Sequence, residues 1–370
     1  MSAPGLGFLV FVSHDRPADA ARSLEQGIDL FRAAERLGYG SGWVRVRRHS
    51  PTLSAPFPFL SAVARETNAI RLGTGVLPVG FEDTLRLAED AATTDLLSGG
   101  RLELGVSSGH GAVDAPVGAD REAVVSGRLA ALRDAIAGRP LGEPYASRFA
   151  ADPFVAREQA TAGSAGTTPT DVAAASGWTD PQPRPSGAVA QPISAGLSSR
   201  LWYGSGTLSS ALRAARLGYD LLLSTLNGEF VPGTLGENQA RQIAAYRDEF
   251  ARQHPDRTPR VAISRSILPL VGAEDRARFG GYVERYRGLV DAEGRFAGTP
   301  PTTQWSPLYG GEPESIAEEI AADPSVALAD DVLLTPITEL DLPTLHRVLE
   351  TVAVDVAPLL GWRTPAGAIA

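Results

Sequence analysis

The chain has 370 residues, 43% of them hydrophobic and 21% charged, and 34 basic against 43 acidic side chains leave a net charge of −9. That composition belongs to a globular protein able to bury a sizeable core, and the acidic balance argues against nucleic acid or an anionic membrane surface as partner. There is no cysteine, and the histidines at positions 14, 49, 110, 254 and 346 never fall at ligand spacing. Disulfides, thiolate metal sites and a histidine-built metal centre are therefore not expected. Every basic residue is arginine. The opening Met1-Ser-Ala-Pro-Gly-Leu-Gly-Phe-Leu-Val-Phe-Val lacks a charged n-region and is too short for a signal peptide or a membrane span. It reads as a first strand, and a cytoplasmic enzyme is the expectation.

In chain order, the apolar run Leu6 to Val12 predicts a strand covered on both faces. Pro17 to Leu37 carries Ala20, Leu24, Ile28, Phe31 and Ala34 at helical spacing and stops at Gly38. A second strand is predicted over Ser41 to Val46, a helix over Pro56 to Glu66, and a third strand over Ile70 to Leu77. Asp83 is the expected N-cap of a helix ending at Leu97 before Gly99-Gly100. Leu102 to Val106 is a fourth strand, and Arg121 to Ala137 a helix. The alternation then breaks, because residues 142–199 are rich in Ala, Gly, Ser, Thr and Pro. That is long for a connection inside a compact domain. It reads as an excursion covering the catalytic end or as partly disordered chain. A domain linker fits less well, because strands and helices alternate again beyond it.

The rhythm resumes at Arg200. Leu201-Trp-Tyr is a fifth strand, Gly204-Ser-Gly a tight turn, and a helix runs from Thr207 to its closing Gly218. Leu221-Leu-Leu is a sixth strand, Gly236 to Gln253 a helix, Arg260 to Leu270 a seventh strand, and Glu274 to Leu289 a helix. Gly294 to Gly311 reads as a second long loop. Pro313 to Ala322 is helical, Asp331 to Pro336 is the eighth strand, and Leu342 to Leu360 the last helix. Strands alternating with helices in this number predict an α/β fold, a (β/α)8 TIM barrel, with one domain over 1–370 and a long insertion before the fifth strand. An open dinucleotide-binding sheet lacks support, since no Gly-x-Gly-x-x-Gly follows the first strand.

Barrel sites are built where strands end and the following loops begin. Those loops hold Ser13 to Asp15, Arg47 to His49, Pro78 to Gly80, Ser107 to Gly111, Gly204 to Thr207 and Ser224 to Asn227, with Gly75 and Val76 just inside the third strand's end. The fifth offers a helix N-terminus with the hydroxyls of Thr207, Ser209 and Ser210. Such a terminus suits a phosphate monoester, and it equally suits an ordinary capped turn.

Ile70-Arg-Leu-Gly-Thr-Gly-Val-Leu-Pro, Ala88-Glu-Asp-Ala, Asp95-Leu-Leu-Ser-Gly-Gly-Arg-Leu-Glu-Leu-Gly-Val, Leu201-Trp-Tyr-Gly-Ser-Gly and Gly311-Glu-Pro-Glu-Ser-Ile-Ala-Glu-Glu-Ile together resemble the bacterial luciferase-like monooxygenase superfamily, which includes F420-dependent relatives. The likeness covers the chain apart from roughly residues 145–199; its most specific piece is Ser98 to Val106. The resemblance implies reduced FMN at the strands' C-terminal end, reacting with O2 to form a C4a-peroxyflavin that oxygenates a small organic substrate. It also implies a separate flavin reductase and a homodimer. Hydride transfer with F420, or flavin binding without catalysis, are the alternatives.

By position, Gly75–Val76 resembles the family's non-prolyl cis peptide behind the flavin ring. Gly204, Ser205, Gly206, Thr207 and Ser210 match its phosphate-binding helix start, and Tyr203 stands close enough to donate, although it and Trp43 also read as barrel core. Ser107 and Ser108 stand where many relatives carry a phosphate-pairing arginine, so hydroxyls and the helix dipole, or Arg200 or Arg213, must hold the dianion. His49, near the family's flavin-side histidine, and His110 are the candidate catalytic proton carriers. His14 could only line the site, while His254 and His346 read as solvent or packing residues. The segments 142–199 and 294–311 are candidate lids.

Overall fold

The computed structural model describes residues 4–48, 50–109, 121–140, 189–298, 302–336 and 340–362. The strands are β1 (Gly5–Val10), β2 (Ser41–Val44), β3 (Arg71–Thr74), β4 (Leu77–Pro78), β5 (Leu102–Ser107), β6 (Leu201–Ser205), β7 (Asp220–Leu223), β8 (Leu226–Asn227), β9 (Val261–Pro269), β10 (Gln304–Trp305), β11 (Leu308–Gly311) and β12 (Asp331–Leu334). Eight of them close a parallel barrel in the order β1, β2, β3, β5, β6, β7, β9, β12, with β12 returning to β1. The predicted TIM barrel is the observed architecture. The longest insertion falls in residues 141–188, outside the described residues. Its described end, Leu197–Ser199, is a short 3-10 turn leading into β6.

The helices are α1 (Ala20–Arg36), α2 (Pro56–Glu66), α3 (Thr84–Leu97), α4 (Arg121–Ile136), α5 (Leu208–Leu217), α6 (Leu235–Gln253), α7 (Gly272–Leu289), α8 (Pro313–Ala321) and α9 (Leu342–Thr351). Local chemistry sets their ends. Asp83 accepts from the Arg86 N–H at 3.0 Å, Thr234 and Glu237 form a capping box, and Gly218 closes α5 at φ 72°. None of the described helices is long and apolar enough to cross a membrane.

One expectation is corrected. Gly294 to Gly311 is not a long loop throughout. Leu308–Gly311 runs parallel to the far half of β9, and Gln304 and Trp305 pair antiparallel with β8. The buried Gln304 amide also bonds Asn238 and the carbonyls of Gly233 and Glu293, which pins this segment to the barrel rim.

Alternation along each strand sorts side chains into two cores. Leu6, Phe8 and Val10 of β1 face the helices, while Leu9 and Phe11 face the barrel axis. The interior cluster adds Trp43, Trp202, Leu222, Ala262 and Leu333, with the Trp43 and Trp202 rings edge to face at 5.4 Å. Beneath them the strands' N-terminal ends carry a buried ionic plug. Arg260 grips Glu103 with both terminal nitrogens at 2.8 Å and reaches Asp220 at 2.8 Å. Arg71 holds Asp331 at 2.9 Å, Trp202 donates to Glu103 at 2.6 Å, and Arg260 lies 4.6 Å from the Trp202 ring centroid. Charges this deep persist because each carboxylate is paired and hydrogen-bonded.

Candidate active site at the barrel mouth

The geometry of the mouth begins with a bulge. β3 pairs with β5 as far as Gly73↔Glu103, and the pairing resumes at Leu77↔Val106. The intervening Thr74, Gly75 and Val76 are accommodated because the Thr74 hydroxyl donates to the Gly105 carbonyl and accepts its N–H, at 2.7 and 2.9 Å. A side chain on Gly105 would run into the Thr74 carbonyl, so the bulge requires glycine there. The Gly75–Val76 peptide is cis. Val76 lies on the barrel floor beside β6, where a Cβ on Gly204 would sit 2.9 Å from both of its methyl groups.

One residue beyond Gly204 the chain turns into α5. Gly206 accepts from the Gly228 N–H at 2.7 Å, which ties this turn to the loop after β7. Thr207 and Ser210 form a reciprocal capping box: the Ser210 N–H donates to the Thr207 hydroxyl and the Thr207 N–H to the Ser210 hydroxyl. The Ser205 hydroxyl completes the cluster, 2.6 Å from that of Ser210. A further anion is already present. The Glu229 carboxylate accepts from the Leu208 N–H at 2.7 Å. A negative group therefore occupies the positive end of the helix dipole.

Sequence-predicted residues fall into three groups. Gly75, Val76, Gly204, Ser205, Gly206, Thr207 and Ser210 converge on one side of the mouth. Ser107 and Ser108 end β5 between them, and the Ser107 hydroxyl accepts from the Gly109 N–H at 3.2 Å. Tyr203 is turned the other way: β6 alternates, Trp202 points inward, and the Tyr203 hydroxyl meets Arg213 at 3.0 Å in the shell under α5. It offers nothing to the mouth. His49 and His110 lie outside the described residues.

The two arginines considered as phosphate partners are engaged elsewhere. Arg200 sits at the opposite end of β6, held by Asp95 at 2.7 and 3.0 Å and by the Leu102 carbonyl. Arg213 is buried against Tyr203 and paired with Glu122 at 2.9 Å. Sequence reading missed two residues that matter here. Glu229 was hidden because its contact is non-local. Arg45 was passed over although it falls within the predicted second strand, two residues beyond Trp43, a spacing that is a legible signal. It lies 5.8 Å from the Phe11 ring centroid.

The mouth thus joins an apolar floor to a hydroxyl-rich, anion-holding helix start, an arrangement suited to a planar ligand with an anionic tail. The family model described as luciferase-like monooxygenase matches residues 6–322. The chain belongs to the luciferase-like monooxygenase family. It is similar to the flavin-dependent trigonelline monooxygenase oxygenase component of Acinetobacter baylyi, 34% identical over 28% of this chain and 30% of that protein. Limonene 1,2-monooxygenase of Rhodococcus erythropolis is 30% identical over 28% of this chain and 27% of its own length. These matches span less than a third of either relative. The oxygenating constituent of 3,6-diketocamphane monooxygenase from Pseudomonas putida, solved in complex with FMN, superposes with a TM-score of 0.65 at 16% identity, covering 97% of this chain and 99% of the other. The F420-dependent tetrahydromethanopterin reductase of Methanopyrus kandleri shares the fold at a TM-score of 0.59 and 13% identity, over 96% and 99% of the two chains.

Proposed function

We propose that this protein is the oxygenase of a two-component flavin monooxygenase, binding reduced FMN that a separate flavin reductase supplies. The observation that carries the reading is the continuity of β6 into α5. Gly204 lies under Val76 on the apolar floor, and the anion-holding helix start follows within a few residues. When bound, reduced FMN supplies the electrons that activate O2 for insertion of one oxygen atom into a small organic substrate.

The residues present fit such a cofactor. Val76 and the interior apolar cluster offer a dry surface for the ring system and keep water from beneath it. Thr207, Ser209 and Ser210 would supply hydroxyl donors to a phosphate, and the Leu208 N–H, where the Glu229 carboxylate now accepts, would supply a further one. Ser107 and Ser108 line the same side. With no arginine from this side of the mouth turned to the phosphate among the described residues, binding rests on hydroxyls and the helix terminus. That suits a flavin that enters reduced and leaves oxidised. His49 and His110 remain our candidates for proton transfer to and from the substrate.

The test is a titration of the protein with FMN, riboflavin and F420, repeated with Thr207→Glu. FMN is expected to bind more tightly than riboflavin, and Thr207→Glu to abolish that advantage through charge repulsion. Unchanged FMN affinity in Thr207→Glu overturns the phosphate position. Binding of F420 in place of FMN favours hydride transfer on the same fold, and peroxide release without substrate oxygenation favours a flavin-binding role without catalysis.

A further inference from the structure

β2 places Trp43 on the barrel axis, and alternation carries Arg45, two residues further along, to the same face at the mouth. Its guanidinium carbon lies 5.8 Å from the ring centroid of Phe11, which packs on the interior cluster, and the residue is half-buried. Among the described residues the Arg45 guanidinium meets no carboxylate, carbonyl or hydroxyl at hydrogen-bond distance. Its deeper counterparts differ. Arg71 is answered by Asp331, Arg260 by Glu103 and Asp220, and Arg265 by Asp323. Burial, together with the neighbouring Arg47, pulls the Arg45 pKa below its ordinary value. In a chain of net charge −9, the stretch 45–48 carries three arginines, and the ion pair recorded for them is Arg48 with Glu82.

A guanidinium keeps its proton at any physiological pH, so a half-buried one that meets only the Phe11 ring among the described residues is well placed to receive an anion from outside. The helix start that suits the flavin phosphate belongs to β6, with β3 and β5 lying between it and β2. An anion opposite Arg45 would therefore be a second one.

We propose that the substrate is an organic carboxylate with an apolar body, its carboxylate held by Arg45 and its body resting against Phe11. This deepens the monooxygenase reading above and rests on it. Planar, bidentate recognition is what an arginine fork gives a carboxylate. Arg47, exposed at the rim, adds to the positive potential that draws such anions inward.

The experiment titrates wild-type protein, Arg45→Met and Arg45→Lys with two matched pairs, benzoate against benzamide and hexanoate against hexanamide. FMN and riboflavin are titrated in parallel, and circular dichroism melts establish that each variant folds. In the wild type at least one acid is expected to bind about tenfold tighter than its amide, the size of one charge-assisted contact. Arg45→Met brings the pair to near parity, and Arg45→Lys, which keeps the charge without the fork, retains part of the preference. Equal binding of acid and amide, binding of neither, or a preference that survives Arg45→Met overturns the proposal. So does a loss in Arg45→Met of FMN affinity alone, riboflavin being unchanged, because Arg45 then serves the cofactor's phosphate. If the acid preference holds but FMN does not bind the wild type, the flavin reading fails and the carboxylate site stands.

Discussion

The Glu229 carboxylate and the Leu208 backbone N–H, 21 residues apart in sequence, are 2.7 Å apart in space. The protein thus supplies its own anion to the helix terminus proposed to take the flavin phosphate. A charge at such a terminus is worth about 0.3–1 kcal/mol, and it must be displaced before a dianion can settle. Glu229→Gln removes the charge and keeps an acceptor oxygen. FMN affinity is expected to rise about twofold to fivefold, and riboflavin affinity to stay unchanged, as read by quenching of flavin fluorescence. A parallel shift of both flavins would show that Glu229 is not competing with phosphate.

The floor of the mouth depends on Val76 occupying the space that Gly204 leaves empty. Gly204→Ala places a methyl 2.9 Å from both Val76 methyls and should destabilise by about 1–3 kcal/mol through overpacking. Val76→Ala on its own leaves a small cavity. Combined, the two changes should compensate, with a coupling of at least about 0.5 kcal/mol in a double-mutant cycle. Urea denaturation of the four proteins measures it, and simple additivity would mean the two residues do not share that volume.

At the other end of the barrel, Glu103 receives Arg260, Arg71 and the Trp202 indole. Glu103→Gln leaves two guanidinium groups short of a buried partner. Loss of one member of such a pair costs about 3–5 kcal/mol, and the expected result is a large fall in denaturation midpoint with ligand binding at the mouth retained in the folded fraction. A stability within about 0.5 kcal/mol of wild type, the usual scatter for surface changes, would show that the plug is not a structural necessity.

Glu35 gives a pH-dependent case. Burial pushes its carboxyl up, but the N–H groups of Asn68, Ala69 and Ile70, at 2.9, 2.6 and 2.9 Å, together with Arg101 hold it below its ordinary value. A carboxyl lowered in the folded state stabilises above its unfolded pKa, and that stability is lost as pH falls through the folded pKa. Glu35→Gln should cost about 1–2 kcal/mol at neutral pH, the lower end allowing for partial exposure of the side chain. Wild type and variant should converge in an acid series carried below the ordinary glutamate range. A gap that persists in acid would place the effect in packing.

Much of this architecture is legible in one dimension. Strand and helix limits follow from local signals, since Asp83, Thr207 and Gly218 act on residues within a turn of themselves. Alternation on β6 also settles the orientation of Tyr203, which its nearness to the phosphate turn obscures: an inward Trp202 obliges Tyr203 to face outward. The same rule reaches Arg45 from Trp43. Other relationships are not written locally. The plug draws Arg71, Glu103, Asp220 and Asp331 from four strands and Arg260 from the position just before β9, and each alone reads as an ordinary charged residue near a strand's start. The Glu229 contact joins one loop to the start of a different helix, and β10 and β11, two and four residues long, are too short to betray themselves by period.

The ionic stopper beneath Trp43 and Trp202 has a bearing on traffic. Among the described residues the base of this vessel is stoppered by arginines locked to carboxylates, so a molecule seated against Val76 is approached from the opposite, open end.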